Sequence, residues 1–182
     1  MIYSYALFNV IYYFRNAKYP GSIRSIAKGA KVGVATSKRC CDYLFAHHIL
    51  SRTIVGRSHL YRLNDENVLG RHIKVSFSIA EIQESGLVEE LRALHPSIMS
   101  IILFGSSAVG LDTPSSDLDI LLITQKKIVV NPPHAERKLS RELSLLNYTL
   151  GEWRKIAITD KAFYERVIIG GISLYGELPV VV

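Results

Sequence analysis

The stretch LFGSSAVGLDTPSSDLDILLI, residues 103–123, is apolar at both ends and small, polar or acidic between them. The Ile-rich run SIMSIILF (97–104) leads into Gly105-Ser106 and reads as a short buried strand, and LDILLIT (118–124) reads as a second. Strand alternation places Asp117 and Asp119 on one side, roughly 6–7 Å apart. Two carboxylates that close repel unless a cation lies between them. Mg²⁺ takes hard oxygen ligands, usually one or two carboxylates with phosphate oxygens and water. At the other end, a glycine in a strand-to-helix turn lets the backbone approach a phosphate. The free N–H groups that open the helix, with the Ser106 hydroxyl, can then hold it. Each half is common by itself, as a tight turn or a strand-edge cap. Ten residues apart across one loop, they describe a cradle for a triphosphate and its metal.

As a whole, the stretch resembles the signature of the DNA polymerase β-like nucleotidyltransferase superfamily: a Gly-Ser turn, a loop, then an Asp-x-Asp strand. The likeness spans residues 97–178 and continues through DKAFYERVIIGGISLYGE (160–177), similar to the last helix and strand of minimal members. It implies an α/β (α+β) domain with a small mixed sheet, helices on one face and a cleft beside the two aspartates. Carried over by position, Gly105 and Ser106, with Ser116, bind the triphosphate. Asp117 and Asp119 are the catalytic and metal-binding pair, for Mg²⁺ or Mn²⁺. The implied chemistry is attack of an acceptor hydroxyl on the α-phosphorus of an NTP, with pyrophosphate leaving.

Two positions depart from that pattern. Minimal members read GSxARG, and Val109 stands in the Arg position. Pro132-Pro133 is expected to precede a helix with Leu139, Leu143 and Leu146 inward, followed by a strand LNYTL (146–150). On that strand the third carboxylate of the family aligns with Asn147; Thr149 is the nearest other residue on its face and Glu152 the nearest acid. Asn offers an amide oxygen but no base, and losing a general base forfeits about 10²–10⁴-fold in rate.

The N-terminal part has a different character. Residues 1–75 carry twelve Lys and Arg against Asp42, Asp65 and Glu66, a net +9, while 76–182 carry a net −3. A basic half suits a polyanionic partner. Ala6, Leu7, Val10, Ile11 and Phe14 recur at helical spacing over 4–15. Tyr19-Pro20-Gly21 ends that helix, and Ser22 caps a second, SIRSIAKGA. A third, VATSKRCCDYLFAHH (34–48), shows Ser37, Cys41, Leu44 and His48 on one face. Two alternating strands, ILSRTIV and HLYRLN, follow, joined at Gly56-Arg57-Ser58. Up to its closing GRSHLYRLN (56–64), this stretch resembles winged helix-turn-helix regulators of the arsenical-repressor type, over residues 3–66. The resemblance implies binding of double-stranded DNA. Thr36, Lys38 and Arg39 would lie at the start of the recognition helix, and Arg52, Arg57 and His59 on the wing. His48 stands where such domains usually have Gly. A winged helix that binds only protein is the alternative, and the aromatic first helix is the candidate for homodimerisation.

The reading therefore divides the chain into a winged-helix domain (1–66), a helical connector (67–96) and a nucleotidyltransferase-like domain (97–182). In the connector, Ile79, Ile82, Leu87, Leu91 and Leu94 form an apolar stripe, Glu81, Glu84, Glu89 and Glu90 lie outside it, and Gly86 interrupts it. The chain has 182 residues, 48% of them hydrophobic and 21% charged, which suits a packed protein and excludes a disordered one. No apolar run reaches the roughly 18–20 residues of a membrane span. Cys40 and Cys41 are adjacent and fit neither a disulfide framework nor zinc spacing. With an N-terminus lacking a basic leader, they point to the cytoplasm. Three functions remain open. One is a nucleotidyltransferase that modifies a protein or nucleic-acid hydroxyl, often beside a helical partner protein. The second is a catalytically degenerate, nucleotide-sensing transcriptional regulator. The third is a scaffold using neither site.

Overall fold

The computed structural model describes residues 5–131 and 133–181; residues 1–4, Pro132 and residue 182, which the sequence reading includes, lie outside them. The chain divides into two compact units, Met1–Lys74 and Val75–Val182.

The first unit runs α1 (Ala6–Asn16), β1 (Gly21–Ser22), α2 (Ile23–Gly29), α3 (Val34–Ala46), β2 (Leu50–Val55) and β3 (Ser58–Leu63). The apolar period of α1 buries Val10, Ile11 and Phe14. Ser22 caps α2, its hydroxyl accepting the Ser25 N–H at 3.3 Å. α3 buries Ser37, Cys41 and Leu44. His48 departs from the helical face it was expected to share with them. The helix ends at Ala46, and His48 is exposed at φ +58°, in the left-handed conformation that reverses the chain into β2. The hairpin turns at Gly56, φ +58°, between the paired residues Val55 and Ser58. Burial does not alternate to its tip: Ile54 and Val55 are both exposed. β1 adds a third antiparallel strand, Gly21 against Tyr61, giving the order β1-β3-β2. Two residues are too few to leave a period in the sequence.

α4 (Val68–Ser85) crosses the boundary between the units. Gly86, φ +76°, separates it from α5 (Leu87–Leu94). There follow β4 (Ile98–Phe104), α6 (Ser106–Val109), β5 (Leu118–Thr124), a 3₁₀ turn (His134–Lys138), β6 (Leu143–Thr149), α7 (Leu150–Thr159), α8 (Lys161–Gly170) and β7 (Ile172–Tyr175). The sheet order is β6-β5-β4-β7; β5 and β6 are parallel and the other pairs antiparallel.

Two expectations are corrected in this unit. Helices cover both faces of the sheet rather than one. Ile101, Leu103, Leu118, Ile120 and Leu122 pack with Ile82, Leu87 and Leu91 of α4 and α5. Ile102, Phe104, Leu121 and Ile123 pack with Trp153 of α7 and Val167 of α8. The uninterrupted apolar run of β5 requires this, because a strand without polar alternation has two faces to bury. The helix expected to carry Leu139, Leu143 and Leu146 is also absent. Leu143 opens β6, and only the 3₁₀ turn precedes it. Leucines at i, i+4 and i+7 imitate a helix, but the free edge of β5 captures 143–149 in seven register pairs. Tertiary pairing overrides the local period. Among the described residues no helix is long and apolar enough to cross a membrane.

Candidate functional site

β4 ends at Phe104 and the chain turns through Gly105 at φ 71°, ψ −156°, a region essentially reserved for glycine. Space demands glycine as well, because a Cβ here would collide with Asp119 Oδ2. Asp119 pairs with Phe104 across the β4–β5 ladder, so its carboxylate rests against the bare side of the turn that starts α6. Ser106, half-buried, opens that short helix. Gly110, φ +72°, closes it.

Asp117 lies one residue before β5 and is exposed, held by the loop rather than the ladder. Its main chain is tied at two points. Ser107 Oγ donates to Asp117 O at 3.4 Å, and the next amide, Leu118 N–H, donates to Glu142 O at 2.8 Å. The two aspartates act on each other. Burial raises the Asp119 carboxyl above its ordinary range, a hydrogen bond with the Ser144 side chain opposes this, and the Asp117 charge raises it further. Ser116 reaches the same loop with its hydroxyl engaged, accepting the Thr113 N–H at 2.9 Å and lying 3.1 Å from Thr113 Oγ1.

The parallel register moves the question of a third carboxylate to a different residue. Asp119 pairs with Ser144, and Asn147 pairs with Leu122. Asn147 is thus on the opposite face of the sheet from Asp119, about 10 Å further along the strand. It lines a separate cavity of about 340 Å³ with Lys127, Tyr148 and Lys155. Aligning on LNYTL starts the strand three residues late, and that shift changes the face. Glu152 is excluded as a substitute. Its carboxylate accepts the Thr149 N–H at 2.8 Å and hydroxyl at 2.9 Å, while Thr149 Oγ1 accepts the Glu152 N–H at 3.2 Å. This capping box opens α7, and those bonds hold the Glu152 carboxyl below its usual range.

Beneath the loop lies a buried network that the sequence reading missed. The Arg141 side chain is 5% exposed. Its Nη1 donates to Ser107 Oγ and to Asp112 Oδ2, both at 2.9 Å, and its Nη2 to Ser78 Oγ at 3.2 Å and Glu81 Oε2 at 3.3 Å. Glu81 in turn accepts the Ser140 N–H at 2.7 Å and hydroxyl at 2.6 Å. Glu90 accepts the N–H groups of His134 and Ala135, both at 2.7 Å, which lowers its carboxyl below the usual range. Glu81 and Glu90 lie off the apolar stripe and so read as solvated. Only their partners, some 45 to 60 residues away in sequence, reveal their role.

Two carboxylates, one drawn partly out of water beside a like charge and next to a hydroxyl, suit one divalent cation completed by water and phosphate oxygens. Among the described residues no group of three or more His, Cys, Asp or Glu gathers at one point.

In the first unit, Thr36 is half-buried in the first turn of α3, and Arg39 is exposed on the next. Lys38 is ion-paired with Asp42 one turn on, and that hydrogen bond raises its ammonium above the usual range. Arg52 of β2 stacks over the Phe45 ring of α3, 4.4 Å from guanidinium to centroid. Arg57 occupies the hairpin turn and His59 faces Ile54 across it, both exposed.

Residues 84–167 match the nucleotidyltransferase domain family. The matched residues lie within the second unit and make up a little under half of the chain. Among solved structures, a crystal structure of a mutant of the toxin-antitoxin MntA-HpeT is similar over 52% of this chain and 72% of that chain, with 21% identity and a TM-score of 0.36. No curated protein matches the chain.

Proposed function

We propose that Gly105, Ser106, Asp117 and Asp119 bind a metal–NTP and that the chain transfers a nucleotidyl group to a hydroxyl of a protein or nucleic acid. The observation that carries this is the seating of the Asp119 carboxylate on the Gly105 turn, with the Asp117 charge beside it. Bound there, Mg²⁺ or Mn²⁺ supplies charge neutralisation for the triphosphate. The acceptor oxygen bonds to the α-phosphorus, the bond from that phosphorus to the bridging oxygen breaks, pyrophosphate leaves, and the hydroxyl proton passes to water. Incubation with Mg²⁺ or Mn²⁺, each labelled NTP and candidate acceptors should give label transfer that Asp117→Ala abolishes. Absence of metal–NTP binding at saturating concentrations overturns the reading.

Ser144 beside Asp119, where the family pattern calls for a carboxylate, favours a second reading. On it the site binds nucleotide without turnover and the chain is a nucleotide-sensing transcriptional regulator. Binding without label transfer, together with duplex affinity that nucleotide alters, distinguishes it.

For the first unit the reading is a winged helix, Thr36, Lys38 and Arg39 meeting the major groove and Arg52, Arg57 and His59 the adjacent backbone. Its support is the helix–helix–hairpin order, the third strand β1 and the basic surplus of residues 1–75. Duplex affinity should fall with salt, and Arg39→Ala and Arg57→Ala should each lower the log–log slope by about 1. Unchanged affinity in both overturns this placement.

A further inference from the structure

We propose that Arg141 is a positioning residue for the nucleotide site, a buried clamp that sets the 105–117 loop through Ser107. This rests on the metal–NTP reading above. One guanidinium donates to four side chains from three places in the second unit: Ser78 and Glu81 on α4, Ser107 on α6 and Asp112 in the loop. Both carboxylate partners are themselves shielded, Asp112 at 3% and Glu81 at 11% exposure. Buried charges with this many partners are held in one geometry, because any displacement leaves a charge out of water without its donors.

The clamp continues toward the metal ligands. Ser107, fully buried, accepts the Arg141 Nη1–H on its oxygen and donates its own O–H to Asp117 O. The residue after Arg141 works in parallel, Glu142 O accepting the N–H of Leu118. Residues 141 and 142 therefore fix the main chain at 117 and 118 from two sides, whereas the Asp117 side chain itself is exposed and has no ladder to hold it. Val109, in the position that carries Arg in minimal family members, is exposed at the end of α6 and contributes no charge. Arg141 does not replace that cation at the phosphate. It is enclosed beneath the loop and acts only through Ser107, Asp112 and the backbone. Lysine cannot substitute, because a point charge lacks the planar fork that reaches two pairs of acceptors at once.

The test uses the full chain and three variants, Arg141→Lys, Ser107→Ala and the double substitution, at a temperature where circular dichroism shows each folded. Amide hydrogen exchange over 105–119 and the affinity for Mn²⁺–ATP and the other Mn²⁺–NTPs are measured together. Ser107→Ala keeps the four-residue helix and removes only the relay hydroxyl. Exchange at 107–117 should rise at least tenfold in both single variants. Mn²⁺–NTP affinity should fall about tenfold, and the double variant should lose no more than the worse single one. Wild-type exchange in the folded single variants, or losses that multiply in the double, overturns the clamp. If the unsubstituted chain binds no Mn²⁺–NTP, the nucleotide reading fails and the clamp's part in such a site fails with it. The exchange arm then still decides whether Arg141 orders the loop.

Discussion

The Asp119 carboxylate occupies the space that a side chain at residue 105 would need. Gly105 lies in the turn after β4 and Asp119 on β5, and each constrains the other. The torsions of Gly105 are the second constraint, since φ 71° with ψ −156° excludes a Cβ on its own. Gly105→Ala should cost about 1–3 kcal/mol from backbone strain alone. It should also displace Asp119 and abolish metal–NTP binding, as read by thermal unfolding and calorimetric titration.

The raised Asp119 carboxyl predicts a pH dependence of definite sign. The folded state holds this proton more tightly than the unfolded chain does, so its contribution is most favourable below the ordinary carboxylate range. It is lost as pH rises through the raised value. Asp119→Asn should stabilise the metal-free protein at pH 7, by about 0.5 kcal/mol at most because water screens a half-exposed carboxylate. It should remove the stabilisation that Mn²⁺ gives the unsubstituted chain. Denaturant titrations at pH 4 and pH 7, with and without Mn²⁺, read both effects.

Cys41 should respond to alkali and not to oxidants. It is fully buried on α3, and burial pushes its thiol up to about 11 from the ordinary 9.0; Cys40 is raised as well, with burial again the main cause. The folded state therefore keeps the Cys41 proton after the unfolded chain has lost it. Stability is unaffected below pH 9 and falls by on the order of 2 kcal/mol as pH climbs to 11. Cys41→Ala should flatten that slope. Iodoacetamide at pH 8 should modify Cys40 slowly and leave Cys41 intact until the unit unfolds.

His48 is strained by the left-handed conformation that follows α3. At φ +58° a residue with a Cβ pays about 1–2 kcal/mol, and glycine's larger unfolded-state entropy offsets part of the relief. The Asn64 amide bond to His48 O, 2.9 Å, involves only the backbone of residue 48 and survives substitution. His48→Gly should therefore stabilise the first unit by about 0.5–1 kcal/mol, seen as a higher denaturation midpoint with an unchanged slope.

Residues 97–124 were legible because each signal there is local. An Ile-rich run, a glycine turn and an apolar strand opening on Asp-x-Asp are all read within one turn or strand. The Ser22 cap and the Gly56 hairpin turn were legible for the same reason. β6 was not, because LSLLNYT is compatible with either period until β5 offers it an edge. Its register could not be read either, and the choice between Ser144 and Asn147 as the neighbour of Asp119 depends on it. Arg141 sits in RKLSREL, a polar run with every mark of a surface.

Composition and local pattern alone determined that the chain has a basic helical half and an α/β half, and that the second holds a glycine turn after one strand and two aspartates at the start of the next. Tertiary structure decided that both faces of the sheet are covered, that a serine stands beside Asp119, that Glu152 is a helix cap, and that an arginine beneath the loop ties α4, α6 and the 112 loop together. The division has a physical cause. Torsions, caps and periods are set by neighbours in sequence, whereas strand register and the burial of a charge depend on partners that only folding brings into contact.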